Sequence, residues 1–122
     1  MKLLNEQKKA LNGAKVLLLG AAYKNDIDDM RESPVLKVID NLKKNGADII
    51  YNDPHIPEFT HRGVLYKSVN WEEEIDKADI VIITTNHSCY DYETIVAKAN
   101  ILYDTRNATK DVKNNREKIH KL

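Results

Sequence analysis

The sequence predicts an α/β fold, a Rossmann-like three-layer sandwich with a mainly parallel sheet. Short, nearly all-apolar segments alternate with segments whose apolar residues recur at helical spacing, which is typical of parallel strands joined by right-handed crossovers. The predicted strands also end in small or polar residues, which are Gly20, Asp53, Thr84 and Asp104. Because parallel strands share one carboxyl edge, we expect these residues to border a common cleft.

The first strand follows a short amphipathic lead-in. Apolar residues at helical spacing over residues 1–13 predict a brief helix that Asn12 and Gly13 end, and one domain is expected over residues 14–122. The segment from Lys15 to Gly20 is nearly all apolar, as a strand covered on both faces should be.

A helix is predicted next, with Ser33 as its N-cap and Pro34 at its first position. Gly46 stands where a C-cap belongs. The helix has apolar residues at a spacing that places them on one face, and these are Val35, Val38, Ile39 and Leu42. A second strand over 47–51 is stopped by Asp53 and Pro54.

Residues 54–69 form a long connection, with a short strand predicted over 64–66. Asn70 and Glu73 indicate a capped helix over 71–77. A third strand over 79–84, a helix over 91–99 and a fourth strand over 100–104 continue the alternation. The polar tail after them predicts either a solvated last helix or a frayed end.

The bulk composition excludes several classes of protein. The 122 residues carry 19 Lys and Arg against 19 Asp and Glu, so zero net charge offers no surface for nucleic acid. The single Cys89 excludes an internal disulfide and indicates a reducing compartment. No apolar signal core or membrane span is seen, and we expect a soluble, cytoplasmic protein.

Lys24 and Arg31 are the first candidate site residues. They lie on the loop between the first strand and the helix that starts at Ser33, beside the free N–H groups of that helix start. Arginine can bind a phosphate through two parallel hydrogen bonds and lysine adds a point charge, so the pair suits a diphosphate. The alternative is that both cations are solvated and paired with neighbouring acidic residues.

Arg106 is the second candidate, because it follows the fourth strand at the same edge. It is placed to reach an anionic substrate from the far side of the cleft. The alternative is that Asp104 caps the turn and pairs with Arg106.

Asp53 resembles the acidic residue that holds a ribose in dinucleotide-binding folds, but the glycine fingerprint is missing. After the first strand the chain reads Gly20-Ala21-Ala22-Tyr23. We therefore favour Asp53 as a turn residue before Pro54, with no self-contained NAD site.

Cys89 lies close to His87 in sequence, but adjacency does not create a catalytic pair. We favour Cys89 as a small buried core residue. The histidines and the cysteine lack metal-ligand spacing, so no metal site is predicted.

Several short motifs occur in order over residues 14–107 and together resemble the C-terminal domain of the UDP-glucose/GDP-mannose dehydrogenase family. The branch that oxidises UDP-N-acetylglucosamine or UDP-N-acetylmannosamine is the most similar. The motifs are Leu19-Gly20-Ala21-Ala22-Tyr23-Lys24, Asp28-Asp29-Met30-Arg31-Glu32-Ser33-Pro34, Gly46-Ala47, Tyr51-Asn52-Asp53-Pro54, Ala78-Asp79, Thr84-Thr85-Asn86-His87 and Asp104-Thr105-Arg106-Asn107.

The resemblance implies a role for each candidate. Tyr23 and Lys24 would bind the UDP-sugar, with Lys24 near its phosphates. Arg31 would reach the pyrophosphate of NAD held by another domain. Arg106 would contact the substrate, in related enzymes often from the side of a partner subunit.

The family reaction oxidises the sugar C6 hydroxyl to a carboxylate, with NAD as the oxidant and a cysteine thioester as intermediate. The product is a UDP-uronic acid for polysaccharide biosynthesis. Cys89 does not match the motif of that cysteine. The resemblance implies that residues 1–13 are the remnant of a linker helix and that the NAD domain and the central domain are missing. We therefore expect an excised or split fragment that is inactive alone and a homo-oligomer in the full-length enzyme.

Two other functions stay open from the sequence. One is a free-standing nucleotide-binding regulatory module, which would bind its ligand tightly without a partner. The other is an assembly domain whose cations form salt bridges.

Overall fold

Five strands form one sheet in which each pair of neighbours is parallel. This computed structural model describes residues 12–21, 34–85 and 87–121. The sheet strands are β1 (Lys15–Leu19), β2 (Asp48–Asn52), β5 (Ile80–Ile83), β6 (Leu102–Asp104) and β7 (Ile119–Lys121). Their spatial order is β2-β1-β5-β6-β7, so β1, β5 and β6 lie inside the sheet.

Helices cover both faces of the sheet. They are α1 (Pro34–Lys44), α2 (Trp71–Glu74) and α3 (Tyr92–Lys98), and a separate 3-10 turn spans Arg116–Lys118. Alternate residues of β1 enter two different cores: Val16 and Leu18 pack with α1, whereas Leu17 and Leu19 pack with α2 and α3. The predicted α/β three-layer sandwich is therefore confirmed.

An antiparallel hairpin lies between β2 and α2. Its strands are β3 (Glu58–His61) and β4 (Val64–Lys67), of which the sequence predicted only the second. Phe59 packs between Tyr51 and Tyr66, with ring centroids 5.0 and 5.1 Å away. This aromatic stack fixes the hairpin to the core that α1 covers.

The predicted end of α1 and start of α2 agree with the structure, but α2 ends at Glu74 and not at the predicted Lys77. Gly46 ends α1 with φ +83°, and the side-chain oxygen of Asn70 caps α2 by accepting from the Glu72 N–H at 2.9 Å. The predicted cap Ser33 and the lead-in over residues 1–11 lie outside the described residues.

The tail differs from the prediction of a last helix or a frayed end. Residues Ile119–Lys121 form β7, which pairs in parallel with β6. Arg116 donates to the carbonyl oxygens of Thr109 at 3.0 Å and Val112 at 2.7 Å, and Ile119 packs against the core. A three-residue strand in a polar segment carries too little apolar pattern to be read from sequence.

Within the described part of the chain, every helix is too short or too polar to cross a membrane.

Candidate functional site

Residues at or just after the ends of four sheet strands lie together at the carboxyl edge of the sheet, as the sequence predicted. Gly20 follows β1, Asp53 follows β2, Thr84 follows β5, and Asp104 is the last residue of β6. These strands are adjacent in the order β2-β1-β5-β6, and neighbouring strands lie about 4.8 Å apart. We call this set of residues the carboxyl edge.

Gly20 makes a closely packed turn at the centre of the carboxyl edge. Its N–H donates to the Asn52 carbonyl at 2.8 Å, and the hydroxyl of Thr84 donates to its carbonyl. The backbone has φ +99°, and a Cβ atom here would lie 2.8 Å from the backbone nitrogen of Thr85. Only glycine combines this conformation with this contact.

Asp53 connects three segments of the carboxyl edge. Its Oδ1 accepts from the His55 N–H at 2.7 Å, which confirms the predicted turn. Its Oδ2 accepts from the Ala21 N–H at 2.6 Å and from Nε2 of His87 at 2.8 Å. Burial opposes the charged carboxylate, but the hydrogen bonds from His87, Ala21 and His55 outweigh it and lower the pKa of Asp53.

His87, in the segment after β5, is buried, whereas Cys89 is exposed. The preference for a buried Cys89 was therefore wrong: Ser88 and Cys89 form the outer part of a turn, and His87 and Tyr90 occupy the interior positions. Sequence reasoning missed the pair of His87 and Asp53. Its signal was that a histidine and an aspartate both follow strands predicted to end at one edge.

Asp104 organises the loop that carries Arg106. Oδ1 of Asp104 accepts from the N–H groups of Arg106 and Ala108, both at 3.0 Å. Oδ2 accepts from the N–H of Thr109 at 2.9 Å and from its hydroxyl at 2.6 Å. Burial opposes the ionised form, but the bonds from Thr109, Arg106 and Ala108 prevail and lower the pKa of Asp104.

The side chain of Arg106 is exposed. Within the ranges that the structure describes, its guanidinium forms no hydrogen bond and no ion pair. The predicted turn-capping role of Asp104 is confirmed. Arg106 contacts Asp104 through a backbone N–H hydrogen bond, and not through an ion pair of its guanidinium. The guanidinium therefore stays available at the end of β6, separated from the end of β1 only by β5.

The other predicted site residues lie outside the described residues. They are Tyr23, Lys24 and Arg31, which follow the fixed turn at Gly20 and Ala21 in sequence. Among the residues that are described, no group of three or more His, Cys, Asp or Glu side chains is arranged to hold a metal ion.

The chain is similar to a known protein family and to several of its members. Residues 17–111 match the model of the UDP-glucose/GDP-mannose dehydrogenase family, UDP binding domain. A UDP-N-acetyl-D-mannosamine dehydrogenase of Methanococcus maripaludis is 33% identical over 85% of this chain and 25% of its own length. A UDP-glucose 6-dehydrogenase of Rickettsia bellii is 33% identical over 82% of this chain and 25% of its own.

Solved structures show the same fold. An NDP-N-acetyl-D-galactosaminuronic acid dehydrogenase from Methanosarcina mazei has a TM-score of 0.71 and 26% identity, over 98% of this chain and 27% of that one. A UDP-N-acetyl-mannosamine dehydrogenase from Pyrococcus horikoshii also has a TM-score of 0.71, at 24% identity, over 98% of this chain and 28% of that one. The chain thus spans about a quarter of the length of these relatives. The family match, over most of the chain, shows that it belongs to the UDP-glucose/GDP-mannose dehydrogenase family, as its UDP-binding domain.

Proposed function

We propose that this chain is the nucleotide-sugar-binding domain of an NAD-dependent UDP-sugar 6-dehydrogenase. That enzyme would oxidise the C6 hydroxyl of the sugar to a carboxylate and give a UDP-uronic acid, a precursor for polysaccharide biosynthesis. A UDP-N-acetylhexosamine is the favoured substrate, because relatives named UDP-N-acetyl-D-mannosamine dehydrogenase reach 33% identity over 85% of this chain.

The proposal rests mainly on the guanidinium of Arg106, which is exposed and forms no hydrogen bond or ion pair with the described residues. A charged side chain exposed beside the carboxyl edge, whose guanidinium has no partner among the described residues, suits an anionic ligand. Arginine binds phosphate oxygens through paired hydrogen bonds, and such charge-assisted bonds are strong. We assign Arg106, Tyr23 and Lys24 to the UDP-sugar and Arg31 to the pyrophosphate of NAD.

The described residues do not fit an NAD site of their own. The N–H groups of Gly20 and Ala21 already donate to Asn52 and Asp53, so they are not available to a pyrophosphate. The carboxylate of Asp53 is fully buried and both its oxygens accept internal bonds, so it presents no acceptor to a ribose. NAD would therefore be bound mainly by another domain of the dehydrogenase.

The contribution of this domain to catalysis would be binding rather than chemistry. Contacts to the diphosphate, far from C6, supply binding energy that holds the reacting carbon in place. We assign no catalytic residue in this chain, and we expect no dehydrogenase activity from it alone. The cytoplasmic location and the homo-oligomeric state of the whole enzyme stay predictions.

A chimera tests this function. The corresponding domain of the Methanococcus maripaludis relative is replaced by residues 14–122, and NADH formation is followed with a panel of UDP-sugars. We expect oxidation of a UDP-N-acetylhexosamine, with the KM raised on the order of tenfold or more by Arg106→Ala. The matched control is Arg62→Ala, which removes an arginine of the hairpin turn that pairs with Asp40 of α1 and should leave KM unchanged. A folded chimera that binds NAD but oxidises no UDP-sugar would contradict the proposal.

A further inference from the structure

We propose that Arg116 is a positioning residue for the nucleotide site, because its guanidinium closes the loop that carries Arg106 (the Arg106 loop, residues 105–115). The inference rests on the proposed function, since it concerns how firmly the arginine assigned to the UDP-sugar is held. Arg116 lies beyond residues 17–111, which match the family model, so the match to the family does not include this contact.

Asp104 holds the first half of the Arg106 loop. Its Oδ1 accepts from the N–H groups of Arg106 and Ala108, both at 3.0 Å. Its Oδ2 accepts from the N–H of Thr109 at 2.9 Å and from the Thr109 hydroxyl at 2.6 Å. Asp104 and Thr109 are only 1% and 0% exposed, and hydrogen bonds shielded from water in this way are strengthened. The backbones of Arg106 and Thr109 are thus bound to one carboxylate, so a shift of Thr109 disturbs the bonds that fix Arg106.

Arg116 holds the second half of the same loop. Its Nη1 donates to the carbonyl oxygens of Thr109 at 3.0 Å and of Val112 at 2.7 Å. The N–H of Val112 also donates to the Thr109 carbonyl, at 3.1 Å. Hydrogen bonds from a charged donor are stronger than neutral ones, so Arg116 contributes much of the hold on Thr109. A continuous series of bonds therefore joins Arg116, through Thr109 and Asp104, to the N–H of Arg106.

The end of the sheet fixes the position of Arg116. Arg116 begins the 3-10 turn Arg116–Lys118, which leads directly into β7. β7 pairs in parallel with β6, the strand that ends at Asp104, and Ile119 packs against the core. The Arg106 loop thus starts and ends at two paired strands, and Arg116 connects that base to the middle of the loop.

Lys118 provides a matched control on the same turn. It also carries one positive charge and also donates to a backbone carbonyl, that of Ala97 at 2.8 Å. Ala97 belongs to α3 and not to the Arg106 loop. Replacing either Arg116 or Lys118 by alanine changes the net charge equally, so an effect specific to Arg116 does not come from a weaker long-range attraction of the anion.

The test is an amide NMR titration of the 122-residue chain with UDP, with melting temperatures measured in parallel. Arg116→Ala releases the carbonyls of Thr109 and Val112, and we expect the Kd for UDP to rise about fivefold. Arg116→Lys keeps a charged donor and should restore most of the affinity. Lys118→Ala should change the Kd by less than about twofold, because exposed charges are screened by salt. Equal Kd values for Arg116→Ala and Lys118→Ala would overturn the inference.

A double-mutant cycle tests whether Arg116 acts through Arg106. If it does, Arg116→Ala should raise the Kd little further in a chain that already carries Arg106→Ala. A full further rise in that background would show that Arg116 affects UDP by another route, and would overturn the inference. If Arg116→Ala does not fold, Arg116→Met replaces it in both experiments, because methionine keeps an apolar stem and lacks the donors.

Hydrogen exchange of the chain without nucleotide gives a second measurement. The amides of Arg106 and Ala108 donate to Asp104, and we expect them to exchange about fivefold faster in Arg116→Ala, with the amides of β1 unchanged. Unchanged exchange at Arg106 and Ala108 would contradict the inference.

The outcomes distinguish this inference from the proposed function. If the unmodified chain does not bind UDP, both fail together. If it binds UDP, and Arg116→Ala binds equally well with a lowered melting temperature, then Arg116 is only structural and the proposed function stands.

Discussion

The carboxylate of Asp104 accepts hydrogen bonds from both the backbone N–H and the hydroxyl of Thr109, at 2.9 and 2.6 Å. Its other oxygen accepts from the N–H groups of Arg106 and Ala108. The loop after β6 is therefore folded around a buried acid whose acceptors are all in use. That arrangement leaves the guanidinium of Arg106 exposed and not paired with Asp104.

Removing this acid should destabilise the domain. Asp104→Ala leaves the hydroxyl and N–H of Thr109 and two further N–H groups without their acceptor, and unsatisfied buried donors are costly. We expect a loss of about 3 kcal/mol in the free energy of unfolding, measured by urea denaturation. Asp111→Ala, which removes an exposed aspartate, serves as the control and should change stability by less than about 0.5 kcal/mol. Equal losses for both variants would contradict this account of the loop.

Alanine substitutions at Gly20 and Gly13 distinguish the cost of backbone strain from the cost of a steric clash. Both have positive φ, +99° and +81°, but a Cβ at Gly20 would contact Thr85, whereas one at Gly13 would meet nothing within 4 Å. Gly13→Ala should therefore cost only the strain of the left-handed conformation, about 1 kcal/mol. Gly20→Ala should cost about 1–3 kcal/mol more, because packed neighbours must move. Thermal unfolding of the two variants checks the difference, and indistinguishable melting temperatures would refute it.

Acid should weaken the fold through Asp53 and Asp104. Hydrogen bonds hold the pKa of each carboxyl below its ordinary value despite burial. A carboxyl whose pKa is lower folded than unfolded stabilises the protein above the unfolded value of about 3.9. Its contribution is lost as the pH falls through the lowered folded-state pKa. Urea midpoints from about pH 7 down to about pH 3 should fall steeply at the acid end, and less steeply in Asp104→Asn. A midpoint that does not change with pH would argue against these bonds.

The sequence predicted the layered fold because the strands β1 and β5 are strongly apolar and adjacent to clear helix signals. It also predicted the meeting of Gly20, Asp53, Thr84 and Asp104, since parallel topology alone brings strand ends together. It did not predict β7, whose three residues gain their structure from pairing with β6 and from the contacts of Arg116. The order of apolar and polar residues within so short a segment does not indicate which strand the segment will pair with.

The pair of Asp53 and His87 was missed for a related reason. Each residue has an ordinary local explanation, a turn for the aspartate and a loop for the histidine. The pair forms because β1 lies between β2 and β5, so that the segment after β2 and the segment after β5 meet beside Ala21. Burial of Cys89 was mispredicted because Ser88 and Cys89 form the outer part of a turn between the buried His87 and Tyr90, and residue type alone does not indicate which turn positions face outward.

Titration of the 122-residue chain with UDP tests most directly whether the carboxyl edge binds the diphosphate of a UDP-sugar. In a two-dimensional amide NMR experiment we expect saturable shifts at Gly20, Ala21 and Arg106 with weak affinity, because the proposed function assigns the rest of the site to other domains. Arg106→Ala should weaken binding on the order of tenfold or more, and Arg62→Ala should not. Unchanged amide shifts in the unmodified chain at millimolar UDP would contradict the claim.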